Sequence, residues 1–341
     1  MKRKGYQILF MVVLILFVAC GKEKGGEASD TLILESGCYP HATTYNNHYY
    51  YTMQWPSSDT IAVWEVNDIR KLSEAKPHIV WTAKSNFGNH FWSPELKRLQ
   101  DHWYLYFEAD DGNTDNHQLY VLECQTDDPM TGEFVLKGVL QTNDEWNYGL
   151  HPDVIDVRGQ LYLFWSGWPK RRAETETQCI YIAKMENPWT VSSNRVMISQ
   201  PEYEWERQWI NPNGNRSAYP IFVNENPQAF LSPSGDRLFV AYSASGIWTV
   251  YSTLGLLHAP TGADLLDSTV WRKESEPWFG ADSLGVISSS NISIFPSADG
   301  KQTLMLYEVK HRSKDQDIKS IHLKPIEWSP ENMPVFGSMD I

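Results

Sequence analysis

One carboxylate in this sequence stands directly ahead of an apolar strand that a turn then folds back. Glu225 lies in the segment FVNENPQAF (222–230), which the turn residues SPSGD (232–236) and the apolar run LFVAY (238–242) follow. This order predicts a β-hairpin with the acid at the mouth of its first strand. Because a carboxyl group can donate or accept a proton, Glu225 is our first candidate for a functional side chain.

The same plan recurs along the chain and indicates the fold. Turn-forming residues precede an aromatic or apolar strand at 46–51, 101–106, 158–164, 235–240 and 299–305. Five such units predict five blades, because each unit leaves room for four short strands and their connections. No sustained helical periodicity competes with this interpretation, and the best helix candidate is the short stretch 68–76. We therefore expect an all-β fold, a five-bladed β-propeller that forms a single domain.

A short strand leads into each hairpin, and the residues that open these strands are candidates for a common site. They are Tyr39, Glu95, His151, Glu225 and Asn291. In a propeller the innermost strands surround the central axis, so we expect these side chains to converge on one pocket. The competing interpretation is a rim of ordinary turn residues.

Composition narrows the classes of partner. The formal net charge is −13, which argues against nucleic-acid binding. Aromatic residues make up 13% of the chain and include 15 Trp and 17 Tyr, a surplus that suits flat faces that stack on sugar rings. The alternative is that they are ordinary strand residues of a β-protein. The cysteines are too irregularly spaced for a metal or redox motif, and we expect neither a metal ion nor a cofactor.

The first 19 residues have the pattern of a signal peptide. Lys2, Arg3 and Lys4 precede an apolar run at 8–18, and Cys20 follows directly. This order resembles a bacterial lipoprotein signal, in which Cys20 is lipidated and residues 20–30 form a flexible tether to a domain at 31–341. We therefore expect a membrane-anchored protein of the bacterial cell envelope that faces the periplasm or the cell surface. An ordinary secretory signal is the alternative.

Several sequence blocks together resemble glycoside hydrolase family 43, in its branch of α-L-arabinofuranosidases and β-xylosidases. The blocks are FWSPEL (91–96), KMENPW (184–189), VNENP (223–227), YSAS (242–245) and LGLL (254–257). The resemblance implies a five-bladed propeller that acts on oligosaccharides or polysaccharides by inverting hydrolysis. It also implies that Glu225 is the general acid and that Trp92 lines the substrate pocket.

The sequence departs from the family pattern at the partners of the acid. The resemblance implies an Asp as general base where this chain has Tyr39, and a second Asp that tunes the acid where it has His151. It implies a histidine, often beside a bound metal ion, where the chain has Asn291. A phenol is a poor base at neutral pH, so another group must activate water if hydrolysis occurs.

Alternatives for the missing base stay open at this point. Asp153 and His41 each lie two residues beyond a candidate on the same strand face. Tyr39 could instead act as a nucleophile that a carboxylate, Glu95 or Glu225, activates. Trp168, like Trp92, is a candidate for sugar binding. Two functions remain: a glycosidase with a rebuilt base, and a lipid-anchored propeller that binds carbohydrate without cleaving it.

Overall fold

The computed structural model describes residues 30–57, 59–84, 88–142, 146–171, 176–210, 219–249, 251–279, 286–312 and 317–335. The predicted signal peptide and Cys20 lie outside these ranges. Within these ranges, helical structure is limited to 3-10 turns at Ile69–Glu74, Thr114–Asn116, Glu204–Glu206 and Ser268–Val270. The first of them occupies the predicted helix candidate, and the Asp68 side chain caps it by accepting a hydrogen bond from the Arg70 amide. No helix in the described part of the chain is long and apolar enough to cross a membrane.

Elsewhere in the described ranges, mostly antiparallel strands form five successive blades. The first described strand is β1 (Thr31–Leu34), which belongs to the last blade. The first blade consists of β2 (His41–Tyr45), β3 (His48–Thr52), β4 (Thr60–Val66) and β5 (His78–Thr82). The second blade consists of β6 (Asn89–Leu99), β7 (His102–Asp110), β8 (Gln118–Cys124) and β9 (Phe134–Val139). The third blade consists of β10 (Leu150–Val157), β11 (Gln160–Gly167) and β12 (Glu176–Asn187), with β13 (Thr190–Val191) and β14 (Val196–Ser199) at its edge.

The last two blades follow the same order from the axis outward. A short strand, β15 (Arg207–Ile210), pairs with the fourth blade, which consists of β16 (Tyr219–Leu231), β17 (Arg237–Ala244), β18 (Thr253–Pro260) and β19 (Arg272–Lys273). The fifth blade consists of β20 (Val286–Pro296), β21 (Thr303–Arg312) and β22 (Asp317–Trp328), with β23 (Pro334–Val335) paired to β22. β1 adds the outer strand of this blade, since Thr31 pairs with Leu323.

The innermost strands β2, β6, β10, β16 and β20 contact one another in a ring, with β20 returning to β2. The Ala42 amide also donates a hydrogen bond of 3.0 Å to Ser293 Oγ across that last junction. The five-bladed propeller that the sequence predicts is thus confirmed.

Burial of both faces of each second strand explains the aromatic runs in the sequence. In β7, Trp103, Leu105 and Phe107 pack into a cluster with the first blade. Tyr104 and Tyr106 point the other way and pack against the third blade. Because successive side chains of a strand point to opposite faces, a strand between two blades must be apolar at nearly every position.

Candidate functional site

A backbone irregularity marks the head of every innermost strand. At this point each blade has a non-glycine residue with a positive φ angle: Tyr39 (52°), Ser93 (44°), His151 (54°), Asn226 (53°) and Asn291 (43°). In the second to fifth blades the pairing register between the first and second strands shifts at this point, as in a β-bulge. Non-glycine residues are uncommon in this conformation and cluster at functional sites. The bulges thus mark a ring of candidate functional positions around the axis.

Side chains from the neighbouring blade hold these bulges in place. The His151 amide donates to Glu108 Oε2 at 3.0 Å, and the Tyr39 amide donates to Glu308 Oε2 at 3.4 Å. In the fourth and fifth blades the equivalent acceptors are the hydroxyl groups of Ser166, at 2.9 Å, and Ser243, at 3.3 Å.

These four acceptors were not anticipated from the sequence. A signal was present, since each of the four directly follows an aromatic residue of a second strand: Phe107, Trp165, Tyr242 and Tyr307. The acceptor is therefore the first polar residue after that aromatic one.

Glu225 lies one residue before the bulge of the fourth blade, and its side chain is almost completely buried at 1% exposure. The Ile247 amide donates a hydrogen bond of 2.8 Å to Glu225 Oε1. Glu225 Oε2 lies 3.5 Å from His151 Nε2. Both carboxyl oxygens thus have a defined partner, which fixes the orientation of the side chain.

His151 lies between two carboxylates. Its Nδ1 is 2.7 Å from Ser93 Oγ and 3.6 Å from Glu108 Oε1, while Nε2 faces Glu225. Burial alone would lower the pKa of His151, but the charge of Glu108 and the hydrogen bond and charge of Glu225 outweigh it, so the pKa is raised. The site therefore favours the imidazolium form of His151.

Tyr39 stacks on the His151 ring, with centroids 5.5 Å apart and an interplanar angle of 25°. Burial and the negative charges of Glu225, Glu108 and Glu308 raise the pKa of Tyr39 well above 10. The phenol is accordingly protonated at neutral pH. This environment disfavours the use of Tyr39 as a base or as a nucleophile.

A pocket of about 320 Å³ opens above this group. Five of the residues singled out from the sequence line it, namely Tyr39, Trp92, His151, Trp168 and Glu225. Within the described part of the chain, the acidic side chains that line the pocket are Glu225 and Asp115, and the latter was not anticipated.

Aromatic side chains line the pocket in stacked pairs. Trp92 stacks on His117 at 4.3 Å, and His117 Nδ1 lies 3.3 Å from the buried Asp110 carboxylate. Tyr148 stacks on Trp168 at 3.8 Å with an angle of 13°. These paired rings present rigid apolar faces of the kind that bind the flat faces of sugars.

Glu95 and Asp153 lie in a second layer along the axis, and neither lines the large pocket. Lys97 Nζ bonds to Asp153 Oδ1 and lies 3.5 Å from Glu95 Oε2. Gln228 Nε2 donates to Glu95 Oε1 at 2.6 Å, and His41 Nδ1 is 3.6 Å from Glu95 Oε2. The two groups considered as replacement bases, Asp153 and His41, thus belong to this lower layer.

Asn291 lies on the axis without reaching the pocket. Its amide oxygen accepts from Asn226 Nδ2 at 2.9 Å, and its Nδ2 donates to Glu308 Oε2 at 2.9 Å. The described ranges contain no group of three or more His, Cys, Asp or Glu side chains that could hold a metal ion. The residues at the axis therefore do not fit the metal ion that the family resemblance implies.

Comparison with known proteins identifies relatives over nearly the whole described chain. A sequence model of Glycosyl hydrolases family 43 matches residues 37–334. An extracellular exo-alpha-(1->5)-L-arabinofuranosidase of Streptomyces avermitilis is 30% identical over 321 residues, which is 89% of this chain and 62% of that protein. A protein of the same description from Streptomyces chartreusis is 29% identical over 80% of this chain and 79% of its own length.

Solved structures agree with these relatives. An alpha-L-arabinofuranosidase from Lactobacillus brevis superimposes with a TM-score of 0.79 at 26% identity, covering 90% of this chain and 96% of that one. The chain spans about six-tenths of the length of its relatives from Streptomyces avermitilis, Pyricularia oryzae and Humicola insolens, with coverage of 62%, 59% and 61%.

Proposed function

The chain belongs to glycosyl hydrolases family 43, and from this premise we propose that it is an exo-acting glycosidase that removes terminal sugars from an oligosaccharide or polysaccharide. The supporting observation is a buried carboxyl group, Glu225, with fixed orientation in a pocket with aromatic walls. A volume of about 320 Å³ is at the small end for ligand sites, which suits a terminal sugar. Several relatives are named arabinofuranosidases, so α-L-arabinofuranose is the first candidate for that sugar.

Glu225 acts as the general acid in this proposal. Its Oε1 accepts the Ile247 N–H, so the catalytic proton belongs on Oε2, the side that faces His151 Nε2. Transfer of that proton to the glycosidic oxygen leaves a buried carboxylate. The imidazolium form of His151 then stabilises this carboxylate and returns a proton to it, and solvent reprotonates His151 before the next turnover.

Asp115 is the group to which we assign water activation. It lines the pocket from the second blade, two blades away from Glu225, and an inverting mechanism needs its base on the other side of the sugar from the acid. Its 3-10 turn is fastened locally, since Asn113 accepts the Asp115 amide at 3.1 Å and Asp111 accepts from Asn116 Nδ2 at 3.0 Å.

Replacement of Glu225 by Gln tests the proposal, because the amide keeps the shape of the acid but cannot donate the proton. With α-1,5-linked arabino-oligosaccharides and a panel of other plant and host oligosaccharides, product analysis should detect release by the parent and loss of about a hundredfold or more in kcat by the variant. Calorimetry should find sugar binding nearly unchanged. Undiminished turnover in Glu225→Gln would refute the assignment of the acid.

A binding protein without hydrolytic activity is the second candidate function. The observation that favours it is the protonated Tyr39 phenol at the position where the family resemblance implies an Asp base. The same experiment separates the two functions, because a binding protein would retain affinity in calorimetry while the parent released no sugar from any member of the panel.

A further inference from the structure

A short loop joins the candidate acid to an exposed aromatic ring. Ile247, whose amide holds Glu225, directly precedes Trp248, which lines the pocket and is 47% exposed. The backbone turns sharply just before this pair, since Ser245 and Gly246 both have positive φ angles, of 64° and 78°. The acid and the ring are therefore positioned by one segment of backbone.

The loop is rigidly anchored although its tip is exposed. The Ser245 amide donates to the Val223 carbonyl at 3.0 Å, and its hydroxyl donates to the Trp205 carbonyl at 2.5 Å. Thr249 closes the turn through its amide, which donates to the Gly246 carbonyl at 2.9 Å. Such a loop presents Trp248 without a large entropic cost on binding.

The Trp248 ring lies against Gly246. A Cβ atom at Gly246 would meet Trp248 Cζ2 at 3.0 Å and Cε2 at 3.1 Å, and the φ angle of 78° already disfavours other residues there. Glycine thus allows the indole to lie close to the backbone. The exposed surface of the Trp248 ring then lies at the mouth of the pocket.

The chemistry of the acid determines which part of the substrate reaches this ring. A general acid protonates the oxygen between the terminal sugar and the rest of the glycan, so the leaving group must pass beside Glu225. Trp248 lines the pocket with Trp92, Tyr148 and Trp168, but it follows the residue that holds Glu225 and is exposed, whereas Tyr148 and Trp168 are buried. We infer that Trp248 binds the first sugar of the leaving group and so selects glycan chains over single sugars, an inference that rests on the proposed function.

Calorimetry in the Glu225→Gln background tests this subsite without turnover. The probes are α-1,5-linked arabinotriose, which reaches the leaving-group side, and arabinose, which does not. Adding Trp248→Ala should weaken trisaccharide binding by roughly tenfold and leave arabinose affinity within about twofold. Trp248→Phe should restore most of the loss. Trp209→Ala is the matched control, because Trp209 is 65% exposed and does not line the pocket.

Kinetics with the active protein give an independent test. For Trp248→Ala we expect a roughly tenfold higher KM with arabinotriose, and a change within about twofold with α-L-arabinofuranosyl fluoride, whose leaving group carries no sugar. The inference would be overturned if Trp248→Ala raised KM equally with both substrates. It would also be overturned if this variant weakened the binding of arabinotriose and arabinose to the same extent. Absence of sugar release by the parent protein would instead count against the proposed activity, while the calorimetric comparison would still decide the subsite.

Discussion

Replacing Glu108 by Gln is the most direct test of the proposed proton transfer between Glu225 and His151. Glutamine keeps an oxygen that can accept the His151 amide, so the bulge remains capped, but it removes the negative charge that lies 3.6 Å from His151 Nδ1. Two unit charges near this separation attract by about 4 kcal/mol at an effective dielectric constant of about 20. Glu108 is the largest influence that raises the pKa of His151, so its neutralisation must lower that pKa.

The sign of the effect on activity follows from the raised pKa. The imidazolium persists to higher pH in the parent, and activity that depends on it is lost as the pH rises through the pKa of the pair. In Glu108→Gln this alkaline limit should move to lower pH. Because Glu225 still supports the imidazolium, we expect kcat at neutral pH to fall about tenfold to a hundredfold, which corresponds to about 1.4 to 2.8 kcal/mol.

Initial rates across the pH range, with a substrate that the parent cleaves, measure this shift. NMR titration of the histidine side chains supplies a reading that does not need turnover. Glu308→Gln is the matched control, since it makes the same change at the equivalent acceptor beneath Tyr39, away from His151. A profile for Glu108→Gln that coincides with the parent's, or an equal displacement in Glu308→Gln, would refute the assignment of His151 as the proton-bearing partner of Glu225.

Three further predictions concern water activation, membrane attachment and pH-dependent stability. Asp115→Asn should lower kcat by about a hundredfold or more, and added azide should restore cleavage by replacing water as the nucleophile, which gives the glycosyl azide as product. Asp101→Asn, on an exposed turn of the same blade, should have no effect. Unchanged kcat in Asp115→Asn would remove Asp115 as the base. Cys20→Ser should release the protein from the membrane fraction, and continued co-fractionation would contradict lipid anchoring. The stability that His151 contributes should be fully present below about pH 6.5 and lost as the pH rises through its raised pKa, so the pH dependence of chemical unfolding should weaken in His151→Gln.

The sequence predicts the propeller because the second strands are buried on both faces and therefore read as apolar runs after turn residues. The site is harder to predict, because its register depends on bulges. Glu95 and Glu225 were grouped as equivalent strand openings, yet the bulge residues of their blades are Ser93 and Asn226. A better signal was available, since the bulge residue directly precedes a proline in each of the first four blades. Contacts across the axis, such as Lys97 with Asp153, have no sequence signal because they join separate blades.

Two layers of charged groups lie along the axis: an upper layer with His151 and Glu225, and a lower layer with Lys97, Glu95 and Asp153. Each combines carboxyl groups with a basic side chain, but only the upper layer lines the pocket. In the lower layer, burial lowers the pKa of Lys97 but Asp153 and Glu95 raise it more, so Lys97 is a permanent cation beside these two buried carboxyl groups. In the upper layer, which lines the pocket, that position is taken by His151, whose side chain can release and regain a proton during turnover. A fixed lysine charge would stabilise the Glu225 carboxylate without supplying a proton. A histidine can do both, so His151 at this position is compatible with Glu225 as a working acid.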